Sequence, residues 1–170
     1  MKKILVMIYL VIGCLALAGC DSNMSSLPRK MPDNFAFSLT FDYVGSYDSK
    51  TGVLKNGYNY DLACECETIL KFSEEEMQEI YEIFRESFID RRQNELTVSE
   101  KGIVPSYDIK ISITAGKISK SITIYGATSI TVDEWNNSKS LGEAYYKIVD
   151  DYIKASNEFK ALPENQNWYD

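Results

Sequence analysis

Two thiols and a row of carboxylates are the residues in this sequence nearest to chemistry. Cys64-Glu65-Cys66 places two cysteines two positions apart. On a strand such positions share a face and stand about 6.7 Å apart, whereas a disulfide needs Cβ atoms about 3.8 Å apart. A bonded pair therefore requires a bulge. A metal site requires further ligands, and only carboxylates are on offer. Burial as structural thiols requires neither, because cysteine is among the most buried residue types. Asp61, Glu65 and Glu67 fall on the opposite side of the same segment. Two such carboxylates flanking a cleft can hydrolyse a glycosidic bond. A row of them facing water serves solubility or a basic partner. Arg91-Arg92 could grip a carboxylate or phosphate in forked hydrogen bonds, or could neutralise the end of the helix before them. Asp48-Ser49-Lys50-Thr51-Gly52 has the outline of a calcium loop. Lys50 occupies a ligand position, however, and no Glu follows at the required spacing, so a hairpin turn is the better reading.

The chain has no histidine. That removes the Ser-His-Asp and Cys-His arrangements and the usual zinc sites together. It has no phosphate loop and no dinucleotide fingerprint. No catalytic residue, cofactor or metal is assigned on these grounds.

The N-terminus carries a different kind of information. Met1-Lys2-Lys3 is cationic, Ile4 to Leu17 is almost wholly apolar, and Ala18-Gly19 precedes Cys20. A charged start, a short apolar core and small residues at a cleavage site describe a secretory signal peptide over 1–19. Leu17-Ala18-Gly19-Cys20 resembles the lipobox of bacterial lipoproteins. That resemblance implies diacylglycerol on the Cys20 sulfur, cleavage before Cys20 and acylation of the new amine. Two or three acyl chains anchor stably where one does not. The expected location is the extracytoplasmic face of the cell membrane. Residues 20–34, polar and with Pro28 and Pro32, read as the lipidated cysteine and a flexible tether. From Cys20 onward, 16 basic residues face 25 acidic ones, a balance of −9. Such a chain lacks the basic footprint of a nucleic-acid binder.

Positioning falls to residues 35–170, long enough for a single domain with a real core. Phe35, Phe37, Leu39, Phe41 and Tyr43 alternate as in a half-buried strand. The Gly-, Ser- and Asp-rich 45–57 reads as a hairpin loop, and 58–72 as a second, longer strand. Ser73 with Glu76 forms a capping box, and Met77, Ile80, Tyr81, Phe84 and Phe88 give the stripe of a helix over 73–89. A polar loop over 90–105 follows. Strands are then expected at 107–114 and 118–125, with a short extra one at 129–132. Ser140 and Glu143 offer a second capping box for a helix to about 158. Phe159, Leu162, Trp168 and Tyr169 in the tail are expected to fold back on the domain. The expected fold is α+β: an antiparallel sheet of four to five strands with two amphipathic helices on one face, in the order hairpin–helix–hairpin–helix.

Ser46 to Asn56 (SYDSKTGVLKN), the helix opening SEEEMQEIYEIF and the late EFKALPE resemble a group of uncharacterised small lipoproteins from Gram-positive bacteria. The resemblance runs from about Phe37 onward and implies a lipid-anchored cell-surface domain. It implies no activity and no functional residues. The Cys64/Cys66 pair departs from the group, whose corresponding strand is Thr-rich. Taken together, the expectation is a non-catalytic binding or accessory module that engages a protein, peptide or wall component. The abundance of tyrosine supports it, since tyrosine is enriched at recognition surfaces. The alternative is a carboxylate-dependent hydrolase acting on an envelope or extracellular substrate.

Overall fold

The computed structural model describes residues 25–42, 44–59, 64–97, 108–125 and 139–163. The expected signal segment, Cys20, Asp61 and the strand expected at 129–132 lie outside the described residues, as do the side chains of Cys64 and Glu65.

Alternation of apolar and polar residues builds a mixed α+β fold on one open sheet of seven strands. These are β1 (Ala36–Phe41), β2 (Gly45–Asp48), β3 (Val53–Asn59), β4 (Cys64–Ile69), β5 (Glu95–Thr97), β6 (Ile109–Ala115) and β7 (Ile118–Tyr125). Their spatial order is β4-β3-β2-β1-β6-β7-β5. All neighbours pair antiparallel except β5, which lies parallel to β7 at one edge. The count of four to five strands was too low for three reasons. The stretch 45–57, expected to be a loop, holds β2, a four-residue turn and most of β3. The expected single strand 58–72 is instead the end of β3 and then β4, which pair as a hairpin with Asn59 opposite Cys64. The loop expected at 90–105 also contains β5.

The helices follow the 3.6-residue stripes more closely. Helix α1 spans Glu74–Glu86, and its capping box is present in full. The Glu76 backbone N–H donates to Ser73 Oγ, and the Ser73 N–H donates to Glu76 Oε2 at 2.8 Å. Glu74, Glu75 and Glu76 fill the first turn, where the helix dipole favours negative charge. The helix ends on Phe88, whose φ of 56° is left-handed and unusual for any residue but glycine or asparagine. A short 3₁₀ turn, Ile89–Arg91, follows. Helix α2 (Lys139–Lys147) widens into a π-helical stretch, Ile148–Lys154, and a short α3 (Asn157–Lys160) closes the described chain. Ser140 lies inside α2 rather than at an N-cap, and its hydroxyl is engaged by Arg92.

One core joins these layers. Phe37, Leu39 and Phe41 of β1, Ile109, Ile111 and Ile113 of β6, and Ile122 and Ile124 of β7 point to the same side. They pack with Ile80, Tyr81 and Phe84 of α1 and with Leu141, Tyr145, Ile148 and Ile153 of the second helical segment. Both helical segments therefore cover one face of the sheet and, among the described residues, leave the other open. Phe159 reaches back to Phe41, with ring centroids 6.1 Å apart, and Leu162 also packs on the core. Trp168 and Tyr169 lie outside the described residues.

The segment expected to be a tether is, from Ser25 onward, laid against the domain. Ser25 Oγ, the Ser26 N–H and Ser26 Oγ all donate to the Asp90 carboxylate, at 2.5, 2.8 and 2.5 Å. Leu27 is buried in the core. Tyr81 donates its hydroxyl to the Pro28 carbonyl at 2.5 Å. Asn34 clasps the β6–β7 turn from both sides, donating to Gly116 O and accepting from Gly116 N. Polar composition suggested a free chain here; specific hydrogen bonds and one buried leucine override it.

Candidate functional site

The face without helices is organised in rows that cross the sheet. Because the strands are in register, residues on this face line up perpendicular to them. One row runs Asp48, Ser38, Ser112, Ser121 across β2, β1, β6 and β7. A second runs Glu67, Lys55, Ser46, Thr40 across β4, β3, β2 and β1. It continues into β6 where the Lys110 N–H donates to Thr40 Oγ1 at 2.9 Å, and from Lys110 to Thr123 of β7. Serine and threonine are short. Between longer lysine and aspartate side chains they leave two shallow adjoining depressions of about 400 and 240 Å³, which share Ser38, Asp48 and Ser112.

The chemistry of this surface is mainly that of hydrogen bonding, although the first row continues over β3 and β4 into Val53 and the exposed Ile69. Each hydroxyl donates one proton and accepts on two lone pairs, while lysine only donates. Ser112 and Ser121 already meet at 2.9 Å between their Oγ atoms. Lys55 pairs with Glu67 at 3.2 Å. Such an exposed cross-strand pair adds little to stability and can re-form with a ligand. Asp48 serves its own turn: Oδ1 accepts from the Lys50 and Thr51 backbone N–H groups, and Gly52 closes the turn with a φ of 77°. That is the hairpin turn expected of this stretch. Among the described residues no three His, Cys, Asp or Glu gather to hold a metal ion.

The residues singled out in the sequence do not converge. Glu67 stands on the open face, at its β4 edge. Asp61 and the Glu65 side chain lie outside the described residues. Cys66 is buried on the core side of β4. The two arginines separate. Arg92 turns inward, donating from Nε and Nη2 to the Ser87 carbonyl at 3.2 and 3.0 Å and from Nη2 to Ser140 Oγ at 2.5 Å. It thus caps the end of α1 and ties it to the start of α2. Arg91 is 41% exposed in its side chain and lies 4.0 Å from Asp90.

Tyr125 of β7, 39% exposed, stands on the open face in line with Ser121 and Thr123, whereas other described tyrosines serve the core and the helices. Tyr47, Tyr81 and Tyr145 are buried, and Tyr152 donates to Glu79 Oε2 at 2.8 Å. Burial first, then the neighbouring Asp48 and Glu76 charges, push the Tyr47 phenol well above its ordinary range. The hydroxyl rows were the feature missed from sequence. Their signal was present as the polar half of each alternating strand, Ser38-x-Thr40 and Lys110-x-Ser112-x-Thr114. The apolar half drew the attention.

The sequence matches no protein-family model and no curated protein.

Proposed function

We propose that this chain is a lipid-anchored protein of the cell envelope that works as a binding module, using the open sheet face to hold an extended polar partner without chemical turnover. The observation that carries the reading is the pair of rows just described, hydroxyls and lysines with Asp48 and Glu67 among them, in strand register over four and six strands. An extended peptide or glycan strand offers donors and acceptors at regular intervals, and a shallow, wide surface of short side chains can satisfy many of them at once. Lys50, Lys55 and Lys110 add positive charge to the depressions of an otherwise acidic chain, which favours partners bearing carboxylate or phosphate groups.

The test is photo-crosslinking in intact cells, with the reactive residue placed at Ser112. A discrete adduct that vanishes when Ser38→Trp fills the floor of the depressions supports the reading. No adduct at 112, or one indifferent to that filling, overturns it. Anchoring is tested separately. Cys20→Ala should abolish incorporation of labelled palmitate and leave the signal segment uncleaved by the lipoprotein peptidase. Labelling that persists in the mutant would sink the anchor.

A further inference from the structure

We propose that residues 25–34 are a rigid mount, which holds the corner of the domain at the end of α1 against an anionic membrane surface and leaves the open sheet face on the side of the sheet away from the mount. The proposal rests on acylation at Cys20. Three attachments fix the mount: Ser25 and Ser26 on Asp90, Leu27 and Pro28 on the core and Tyr81, and Asn34 on the β6–β7 turn. The first lies only five residues beyond Cys20. At no more than about 3.6 Å per residue, five residues span at most about 18 Å. A fourteen-residue spacer could reach about 50 Å on the same rule. The corner that bears Asp90 is therefore kept close to the lipid, and the domain cannot drift or turn over freely.

Direction follows from the packing. Leu27 shares the core with α1 and with the inward side chains of the strands, so the mount lies on the helix side of the sheet. Ser38, Ser46 and Ser112 lie on the other side. Charge agrees with this orientation. Arg29 and Lys30 are exposed on the mount, and Arg91 is exposed beside its first attachment. Anionic headgroups attract such cations within a Debye length. Asp33 and Glu86 are exposed at the same end and temper the attraction, so chain length sets the orientation and the cations assist it.

The experiment uses the full acylated chain in vesicles that contain phosphatidylglycerol and brominated lipid. A fluorescent amino acid is placed at Glu86 in one variant and at Ser112 in another. Quenching severalfold stronger at 86 than at 112 is expected, and Asp90→Ala should narrow the difference by freeing the first attachment. Equal quenching at the two positions in protein of acylated mass overturns the mount while leaving the anchor standing. A mass without acyl chains overturns the anchor and, with it, this orientation. Hydrogen exchange on the unmodified chain gives a reading independent of lipid: the Ser26 and Phe35 amides should exchange far more slowly than in a free peptide, and exchange at the free-chain rate overturns the mount.

Discussion

Asp90 is the residue on which the N-terminal segment most depends. Its side chain is 1% exposed. Burial by itself would raise its pKa, but the hydrogen bonds from Ser25 and Ser26 outweigh burial and hold it below the usual carboxylate value. A carboxyl with a depressed folded pKa contributes stability above its unfolded pKa of about 3.9, and the contribution is lost as pH falls through the folded value. Asp90→Ala should therefore cost about 2 kcal/mol at neutral pH, measured by urea denaturation, and the gap to the parent protein should close in acid below about pH 4. A gap that stayed constant down to pH 2, on the order of two units lower, would show that the carboxylate charge is not what matters. The tyrosines give the opposite sign. Tyr152 is pushed up to about 12 by burial first and then by its hydrogen bond to Glu79. Tyr47 and Tyr81 are also raised, chiefly by burial. Groups with raised folded pKa values contribute stability below the unfolded value of about 10 and lose it as pH rises through the folded ones. Absorbance titration at alkaline pH should show these phenols ionising late, together with loss of structure rather than ahead of it.

At the scale of the element, sequence pattern was most reliable where one local rule acted alone. The Ser73/Glu76 box and the α1 stripe were legible because capping and 3.6-residue periodicity agree there. Ser73→Ala should cost about 1 kcal/mol, seen as a lower urea midpoint with an unchanged slope. A change below a few tenths of that would mean the cap is dispensable in this fold. β2 and β3 were hidden for a physical reason. Tyr47 and Leu54 are the buried side chains that mark β2 and the start of β3, and Asp48, Ser49 and Gly52 between them favour turns. Farther along β3 the register shifts between Lys55 and Tyr58, where Gly57 takes a φ of 83°. A bulge breaks the period of two, so alternation cannot be followed through it. Gly45 at the start of β2 illustrates a constraint no pattern reveals. A Cβ there would lie 2.4 Å from the Phe41 ring and 2.8 Å from the Phe41 carbonyl. The candidate site was legible only in halves: each strand displayed its polar residues, but the strand order that gathers them into rows is set by pairings distant in sequence.

At the scale of the molecule, the sheet is two hairpin systems joined along one line. β1 to β4 form an up-and-down meander and β6 with β7 a hairpin edged by β5, and among the described strands the two systems pair where β1 meets β6. The core crosses the same line, since α1 follows the first system in sequence and α2 the second. Neither half should be stable by itself: a fragment ending at Thr97 is expected to show no cooperative unfolding transition by circular dichroism. A sharp transition in that fragment would mean that the meander and α1 suffice. The line of joining also sets a tempo. It brings Leu39 against Ile111, 72 positions later, and closing so long a loop must precede any gain from the contacts it makes. A growing chain thus carries the apolar side of β1 without its central partner until β6 has followed. During that interval β1 is a bare strand edge rich in phenylalanine, exposed to pairing with the wrong chain.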